Sequence, residues 1–119
     1  MKIFQFFFLF LNFHLFAQTP FSDITLDAGI DNIYDVYQGL FGGGAVAFDY
    51  NNDGYEDLFI TGGQGQDVLY NNNGDGTFKD VTKESGLYKE KMIVTTGVSS
   101  ADVNKDGFID LFVTTIASQ

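Results

Sequence analysis

Several residue types are missing or scarce in this chain of 119 residues. It has no Cys, no Trp and no Arg, one Pro, and one His at position 14. Without Cys there is no disulfide framework and no lipid attachment through a thiol. The scarcity of His and Cys argues against His/Cys zinc sites, Cys nucleophiles and His-based acid–base catalysis. We therefore expect a protein that is not an enzyme. Two catalytic alternatives remain: hydrolysis of glycosides by a carboxylate pair, and Lewis-acid catalysis by a metal site that keeps an open position facing substrate.

Positive charge is also scarce. The net charge is −10, and all six cationic side chains are Lys. Because phosphate binding needs clustered Lys and Arg, this composition argues against nucleic acid as a partner. Six of the thirteen Asp residues lie in two short loops, so much of the negative charge is concentrated at two places.

The start of the chain carries a targeting signal. Lys2 is followed by the apolar run Ile3–Phe16 and a small residue, Ala17. This pattern predicts a secretory signal peptide over residues 1–17 and a protein that is secreted, extracellular or in the cell envelope (periplasm or surface). The alternative is a membrane anchor, but the run is short for a span and contains Asn12 and His14. We expect no stable membrane span after cleavage.

A nine-residue motif occurs twice, at Asp49–Asp57 and Asp102–Asp110. Both copies have Asp, Asn, Asp, Gly and Asp at positions 1, 3, 5, 6 and 9. Such oxygen-rich loops suit Ca²⁺, a hard cation that takes six to eight oxygen ligands. The Gly permits a sharp turn that aims the carbonyl of position 7 at the ion. The predicted ligands are the side chains of Asp49, Asn51, Asp53, Asp57, Asp102, Asn104, Asp106 and Asp110 and the carbonyls of Tyr55 and Phe108.

These loops have two other interpretations. Asp-Asn-Gly runs also form ordinary hairpin turns, but turn chemistry requires no spaced carboxylates, and here the spacing recurs. An EF-hand would need a bidentate Glu at position 12. That position holds Ile60 in one copy and Val113 in the other. The short apolar runs that follow each loop predict buried strands rather than helices.

The similarity between the two halves extends beyond the loops. The second loop starts 53 residues after the first. Upstream of the loops, Gly44–Phe48 matches Gly97–Ala101, and Phe21–Ile30 matches Phe78–Leu87. Repeats of roughly 40 to 50 residues are typical of propellers and solenoids.

The complete repeat contains four predicted strands separated by turn residues: about Gly44–Phe48, Asp57–Thr61, Asp67–Asn71 and Thr77–Thr82. Four antiparallel strands per repeat correspond to one propeller blade. We therefore predict an all-β fold of propeller blades, with fewer than two blades present and the propeller incomplete. Aromatic residues recur at matching strand positions and are expected to pack between blades: Phe48, Phe59, Phe78 and Phe112.

The segment Phe41–Gly54 resembles the FG-GAP/VCBS repeat, the blade of integrin α-subunit propellers. The segment Leu69–Thr82 is similar to the secreted bacterial and cartilage-acidic-protein branch of that family. The resemblance implies an extracellular, non-catalytic propeller, typically seven-bladed, that serves in adhesion or protein interaction. It also implies Ca²⁺ as the cofactor, on the ligands named above, and an extracellular protein or glycan as the partner.

These observations predict a four-part organisation. Residues 1–17 are the signal peptide, and residues 18–43 are a lead-in with a ring-closing strand over 21–25. Residues 44–93 form the first blade and its connection, and residues 94–119 form a partial second blade. Closed propellers need about four to eight blades, so we expect a truncated product or fragment, or alternatively a small protein that closes by self-association. A further alternative is the N-terminal scaffold of a larger secreted enzyme with its catalytic region beyond residue 119.

Overall fold

The computed structural model describes residues 21–35, 42–89 and 93–116, which contain six β-strands and no helix. The strands are β1 (Ala45–Phe48), β2 (Asp57–Ile60), β3 (Val68–Asn72), β4 (Phe78–Asp80), β5 (Val94–Ala101) and β6 (Asp110–Ile116). The all-β prediction is confirmed. No helix capable of crossing a membrane occurs in this part of the chain. The predicted signal peptide lies outside the described residues.

The first four strands form one antiparallel sheet in the order β1-β2-β3-β4. Each strand pairs with the next along the chain, as in a propeller blade. Their ends agree with the predicted ones to within two residues, because apolar alternation and turn residues fix them locally. Between β3 and β4, Gly74 and Gly76 have φ of 75° and 90°, a conformation that favours Gly.

The remaining two strands, β5 and β6, form a second antiparallel sheet. Their register pairs Val98 with Val113 and Ser100 with Leu111. The second nine-residue loop joins them, just as the first loop joins β1 and β2. This sheet therefore repeats the first half of the four-stranded sheet and forms a partial blade.

The core lies between the two sheets. Phe48, Phe59, Leu69 and Val81 form a buried cluster in the first sheet and its continuation. Three half-buried residues of the second sheet pack against this cluster: Val98, Leu111 and Val113. Because side chains alternate between the faces of a strand, each sheet uses one face for this contact.

The two sheets approach most closely at a glycine. A Cβ at Gly44 would lie 2.8 Å from the backbone nitrogen of Val98 and 2.9 Å from the Cα of Gly97. Gly44 and Gly97 occupy equivalent positions of the repeat. A side chain at Gly44 would therefore push β1 and β5 apart.

The predicted packing of the four recurring Phe residues is correct for only part of the set. Phe48 and Phe59 are buried and Phe78 is half-buried, but Phe112 is 70% exposed. The prediction is wrong for Phe112, because its neighbour Val113 faces the core and strand alternation turns Phe112 to the opposite face.

The strand predicted over Phe21–Thr25 is not formed. Residues 21–24 have no regular structure, and a turn follows over residues 25–29. A strand is stable only when a neighbouring strand satisfies its backbone groups, and no described strand pairs with this segment. The matching residues Phe78–Asp80 do form a strand because β3 lies beside them.

The lead-in instead packs across the first sheet. The Phe78 N–H donates to the Ala28 carbonyl at 2.7 Å. The Tyr70 hydroxyl donates to the Asp31 carboxylate at 3.0 Å. Burial, together with this carboxylate, raises the pKa of Tyr70. The segment ends in a parallel bridge between Asp35 and Gly63, so it spans the sheet from β4 to the turn after β2.

Candidate functional site

The first nine-residue loop turns its polar side chains inward. Asp49 accepts backbone N–H bonds from Asp53 at 3.1 Å and from Gly54 at 2.8 Å. Asn51 Oδ1 accepts a second bond from the Asp53 N–H at 3.0 Å. Asp53 Oδ1 accepts the Tyr55 N–H at 2.9 Å. Positions 1, 3 and 5 therefore share the inside of one tight turn.

The second loop repeats this pattern bond for bond. Asp102 accepts N–H bonds from Asp106 at 3.2 Å and Gly107 at 3.0 Å. Asn104 Oδ1 accepts the Asp106 N–H at 3.0 Å, and Asp106 Oδ1 accepts the Phe108 N–H at 2.9 Å. Two sequences 53 residues apart thus adopt the same hydrogen-bonded conformation.

The backbones of the two loops also match. Gly54 and Gly107, at position 6, both have φ of 90°, as the sequence predicts for a sharp turn. Position 4 is left-handed as well, with φ of 59° at Asn52 and 62° at Lys105. The sequence analysis missed position 4. Asn tolerates this conformation and could have signalled it, whereas Lys carries no such signal.

The ninth position differs between the loops. Asp57 is fully buried and accepts N–H bonds from Tyr50 at 3.0 Å and from Asn72 of β3 at 2.7 Å. Asp110 is half-buried and accepts the Val103 N–H at 3.0 Å, the equivalent of the Tyr50 bond. Asp57 therefore ties the first loop to a third strand, while the described residues place no third strand beside Asp110.

The two loops lie next to each other on one edge of the molecule. Asn52 Nδ2 of the first loop donates to the Gly107 carbonyl of the second at 3.3 Å. The loop edge, which we define as residues 49–57 and 102–110, therefore brings all ten predicted ligand residues to the same rim. The six Asp carboxylates among them repel one another, and nearby cations would offset this repulsion.

The carboxylates of the predicted ligands do not by themselves form a metal centre. Among residues 21–35, 42–89 and 93–116, no three Asp, Glu, His or Cys side chains form a group that could hold a metal ion. The oxygens of positions 1, 3 and 5 are instead occupied by N–H donors of their own loop. Each carboxylate oxygen has two lone pairs, so one hydrogen bond leaves one lone pair for a cation. By ligand type the loops suit a hard cation such as Ca²⁺.

The loop hydrogen bonds also affect ionisation. Hydrogen bonds from the Phe108 N–H and, to a lesser extent, from the Asn104 side-chain amide hold the pKa of the Asp106 carboxyl below its usual range. These bonds favour the charged form of the side chain. At neutral pH the fifth position of this loop therefore offers a carboxylate.

A second polar cluster, which the sequence analysis missed, joins the two sheets. Asp67 Oδ1 accepts bonds from the Gly62 N–H at 2.8 Å, from the Thr95 hydroxyl and from Lys89 Nζ at 3.2 Å. The side chains of Lys89 and Asp67 are only 10% and 7% exposed. Lys89 Nζ also donates to the Gly63 carbonyl at 3.3 Å. This buried ion pair links the turn after β2 to the start of β5.

Comparisons with known proteins agree with the repeat seen in the sequence. The model of the FG-GAP-like repeat family matches residues 49–113, from the first residue of the first loop into β6. Cartilage acidic protein 1 of Xenopus tropicalis is 31% identical over 90 residues, which cover 76% of this chain and 13% of that protein. The chain thus spans a small part of its relative's length. No solved structure gives a significant match.

Proposed function

The chain belongs to the FG-GAP-like repeat family, and from this we propose that it is an exported, calcium-stabilised interaction module without catalysis of its own. Repeats of this family suggest an interaction- or adhesion-type module.

One observation carries the calcium proposal. Two loops separated by 53 residues form the same set of hydrogen bonds and the same left-handed positions 4 and 6. Ordinary turns tolerate many sequences, so a common ligand explains why Asp, Asn and Asp recur at positions 1, 3 and 5.

The burial of Asp57 supports the same proposal. Its side chain is fully buried and receives two N–H bonds, and among the described residues no Lys lies within ion-pair distance of it. A buried carboxylate is costly unless positive charge compensates it. A cation in the first loop would supply that charge and would hold β1, β2 and β3 together through Asp49, Asp53 and Asp57.

The experiment is thermal unfolding in Ca²⁺, in Mg²⁺ and in chelator. We expect millimolar Ca²⁺ to raise the free energy of unfolding by ~1 kcal/mol per site at a few times Kd. Asp53→Asn and Asp106→Asn together should remove the increase. Each amide keeps the bond from the N–H of position 7 but loses the charge, together with the bond that the Asn at position 3 donates to the second carboxylate oxygen. Mg²⁺ should stabilise less, since it demands near-ideal octahedral geometry.

Asp75→Asn is the matched control. Asp75 lies in the turn between β3 and β4, and its Oδ1 accepts bonds from Thr77 much as the loop carboxylates accept theirs. This variant should keep the full response to Ca²⁺. Equal melting temperatures of the parent chain in Ca²⁺ and in chelator would contradict the calcium proposal.

Export is proposed on the apolar run Ile3–Phe16 and the small residue that follows it. We expect the exported protein to begin at Gln18, which N-terminal sequencing of material from outside the cytoplasm would show. Recovery of the chain with residues 1–17 intact would contradict cleavage. The partner we propose is an extracellular protein or glycan, and binding of the exported protein to immobilised matrix proteins and glycans tests this step.

A further inference from the structure

The second sheet carries an open face that repeats a buried face of the first sheet. With the repeat offset of 53 residues, Phe112 corresponds to Phe59 and Ser99 corresponds to Val46. Phe59 is 2% exposed, whereas Phe112 is 70% exposed. Ser99 and Phe112 are direct register partners, as Val46 and Phe59 are. We name the surface around Ser99 and Phe112 the open face.

The residues that cover Phe59 indicate what would cover Phe112. In this chain, Val98, Leu111 and Val113 of the second sheet pack against the cluster that contains Phe59. The equivalents of these three residues in the first sheet are Ala45, Leu58 and Ile60.

These three equivalents share one face of the first sheet. Ala45 pairs with Ile60 and alternates with Val46, so Ala45 and Ile60 lie on the face opposite the core. Ala45 is exposed, and Leu58 and Ile60 are half-buried. Tyr70, the register partner of Leu58, lies on the same face and is buried where the lead-in bonds to it through Asp31, so the part of this face that stays open is on the β1 side. We name this surface the rear face.

We propose that the open face of one copy of this chain docks on the rear face of a second copy. The contact continues the interface that already joins the two sheets, with equivalent residues at equivalent positions. It is heterologous, because each copy contributes a different surface, and such contacts produce rings or open chains of subunits.

The absence of Cys from the chain allows a direct test by cross-linking. Val46 and Val98 pack against one core within the chain, so their equivalents Ser99 and Ala45 should meet between copies. We expect a mixture of Ser99→Cys and Ala45→Cys chains to form a covalent dimer with a short bifunctional maleimide. Neither variant should cross-link by itself. Dimers of Ser99→Cys alone would overturn the heterologous arrangement.

A second step asks whether Phe112 drives the docking. Adding Phe112→Asp to the Ser99→Cys chain should lower the cross-linked yield about tenfold or more, because docking would no longer bury an aromatic side chain. Phe112→Ala, which adds no charge, should act in the same direction with a smaller effect.

Val103→Asp is the matched control, since Val103 is 77% exposed and lies in the second loop. It should leave the yield unchanged, and any association through residues 1–17 is common to all variants. Equal yields with Phe112→Asp and Val103→Asp, or no cross-linking of the Ser99→Cys and Ala45→Cys mixture, would overturn the proposal.

Discussion

At the scale of single residues, five Asp carboxylates accept hydrogen bonds from donors two residues further along the chain: Asp23, Asp53, Asp75, Asp80 and Asp106. Asp75 Oδ1 accepts the Thr77 hydroxyl at 2.6 Å and the Thr77 N–H at 2.9 Å. Asp23 and Thr25 form the same pair of bonds. The bond from the hydroxyl and, to a lesser extent, the bond from the N–H lower the pKa of Asp75 and of Asp23. These short-range bonds fix turns without help from distant residues.

The Lys89–Asp67 ion pair is of a different kind, because it is long-range and buried. We expect Lys89→Met to lower the free energy of unfolding by about 3 kcal/mol, since the variant leaves a buried carboxylate without its cation. Chemical denaturation with a spectroscopic readout measures this change.

Lys83→Met removes the same charge from an exposed position and should change stability by no more than about 0.5 kcal/mol. Similar losses for the two variants would mean that the net charge of the chain, rather than the buried pair, is responsible.

These two kinds of interaction explain what the sequence revealed about the candidate site. The loop residues follow a local pattern of Asp, Asn and Gly, so their positions could be read directly. Asp67 and Lys89 lie 22 residues apart, and no local pattern connects them. Their pairing depends on how the chain returns to the turn after β2.

At the scale of elements, local sequence determines where most strands begin and end. Whether a segment forms a strand at all also depends on a neighbouring strand. Predicted and observed ends of β1 to β4 agree within two residues because each strand is bounded by its own turn residues. Phe21–Asp23 and Phe78–Asp80 have similar sequences, yet only the second segment is a strand. The difference is that β3 lies beside the second segment. The sequence of a segment does not show whether a partner strand will lie next to it.

The close approach of β1 to β5 gives a test of the contact between sheets. Gly44→Ala should cost about 1–3 kcal/mol of stability, because its Cβ would meet the backbone of Val98 and the sheets would have to separate. Thermal unfolding monitored by circular dichroism would measure the loss.

Gly42→Ala provides the control two residues earlier, since a Cβ there would meet no atom within 4 Å. It should be neutral or slightly stabilising through reduced freedom of the unfolded chain. A loss as large as that of Gly44→Ala would show that flexibility, and not contact with β5, is the reason for glycine.

At the scale of the whole molecule, repeated residues have unequal surroundings. Phe59 and Phe112 are equivalent in sequence but are 2% and 70% exposed. We expect Phe59→Ala to cost about 3–5 kcal/mol of stability. Phe112→Ala should cost no more than about 0.5 kcal/mol in dilute protein, where copies do not associate.

Denaturant titration of both variants at low concentration checks this asymmetry. Equal losses would show that Phe112 is buried in solution even in a single copy. The sequence could not predict the difference, because burial depends on which sheet lies next to a residue rather than on the repeat itself.

The path of the lead-in has a consequence for the order of folding. The first sheet joins strands that follow one another along the chain, so its contacts close short loops and can form early. The hydrogen bond from Phe78 to Ala28 closes a loop of about 50 residues, and it needs β4 already in place. The lead-in is therefore synthesised before the sheet but docks after it, and its protection from hydrogen exchange should develop after that of the sheet on which it lies.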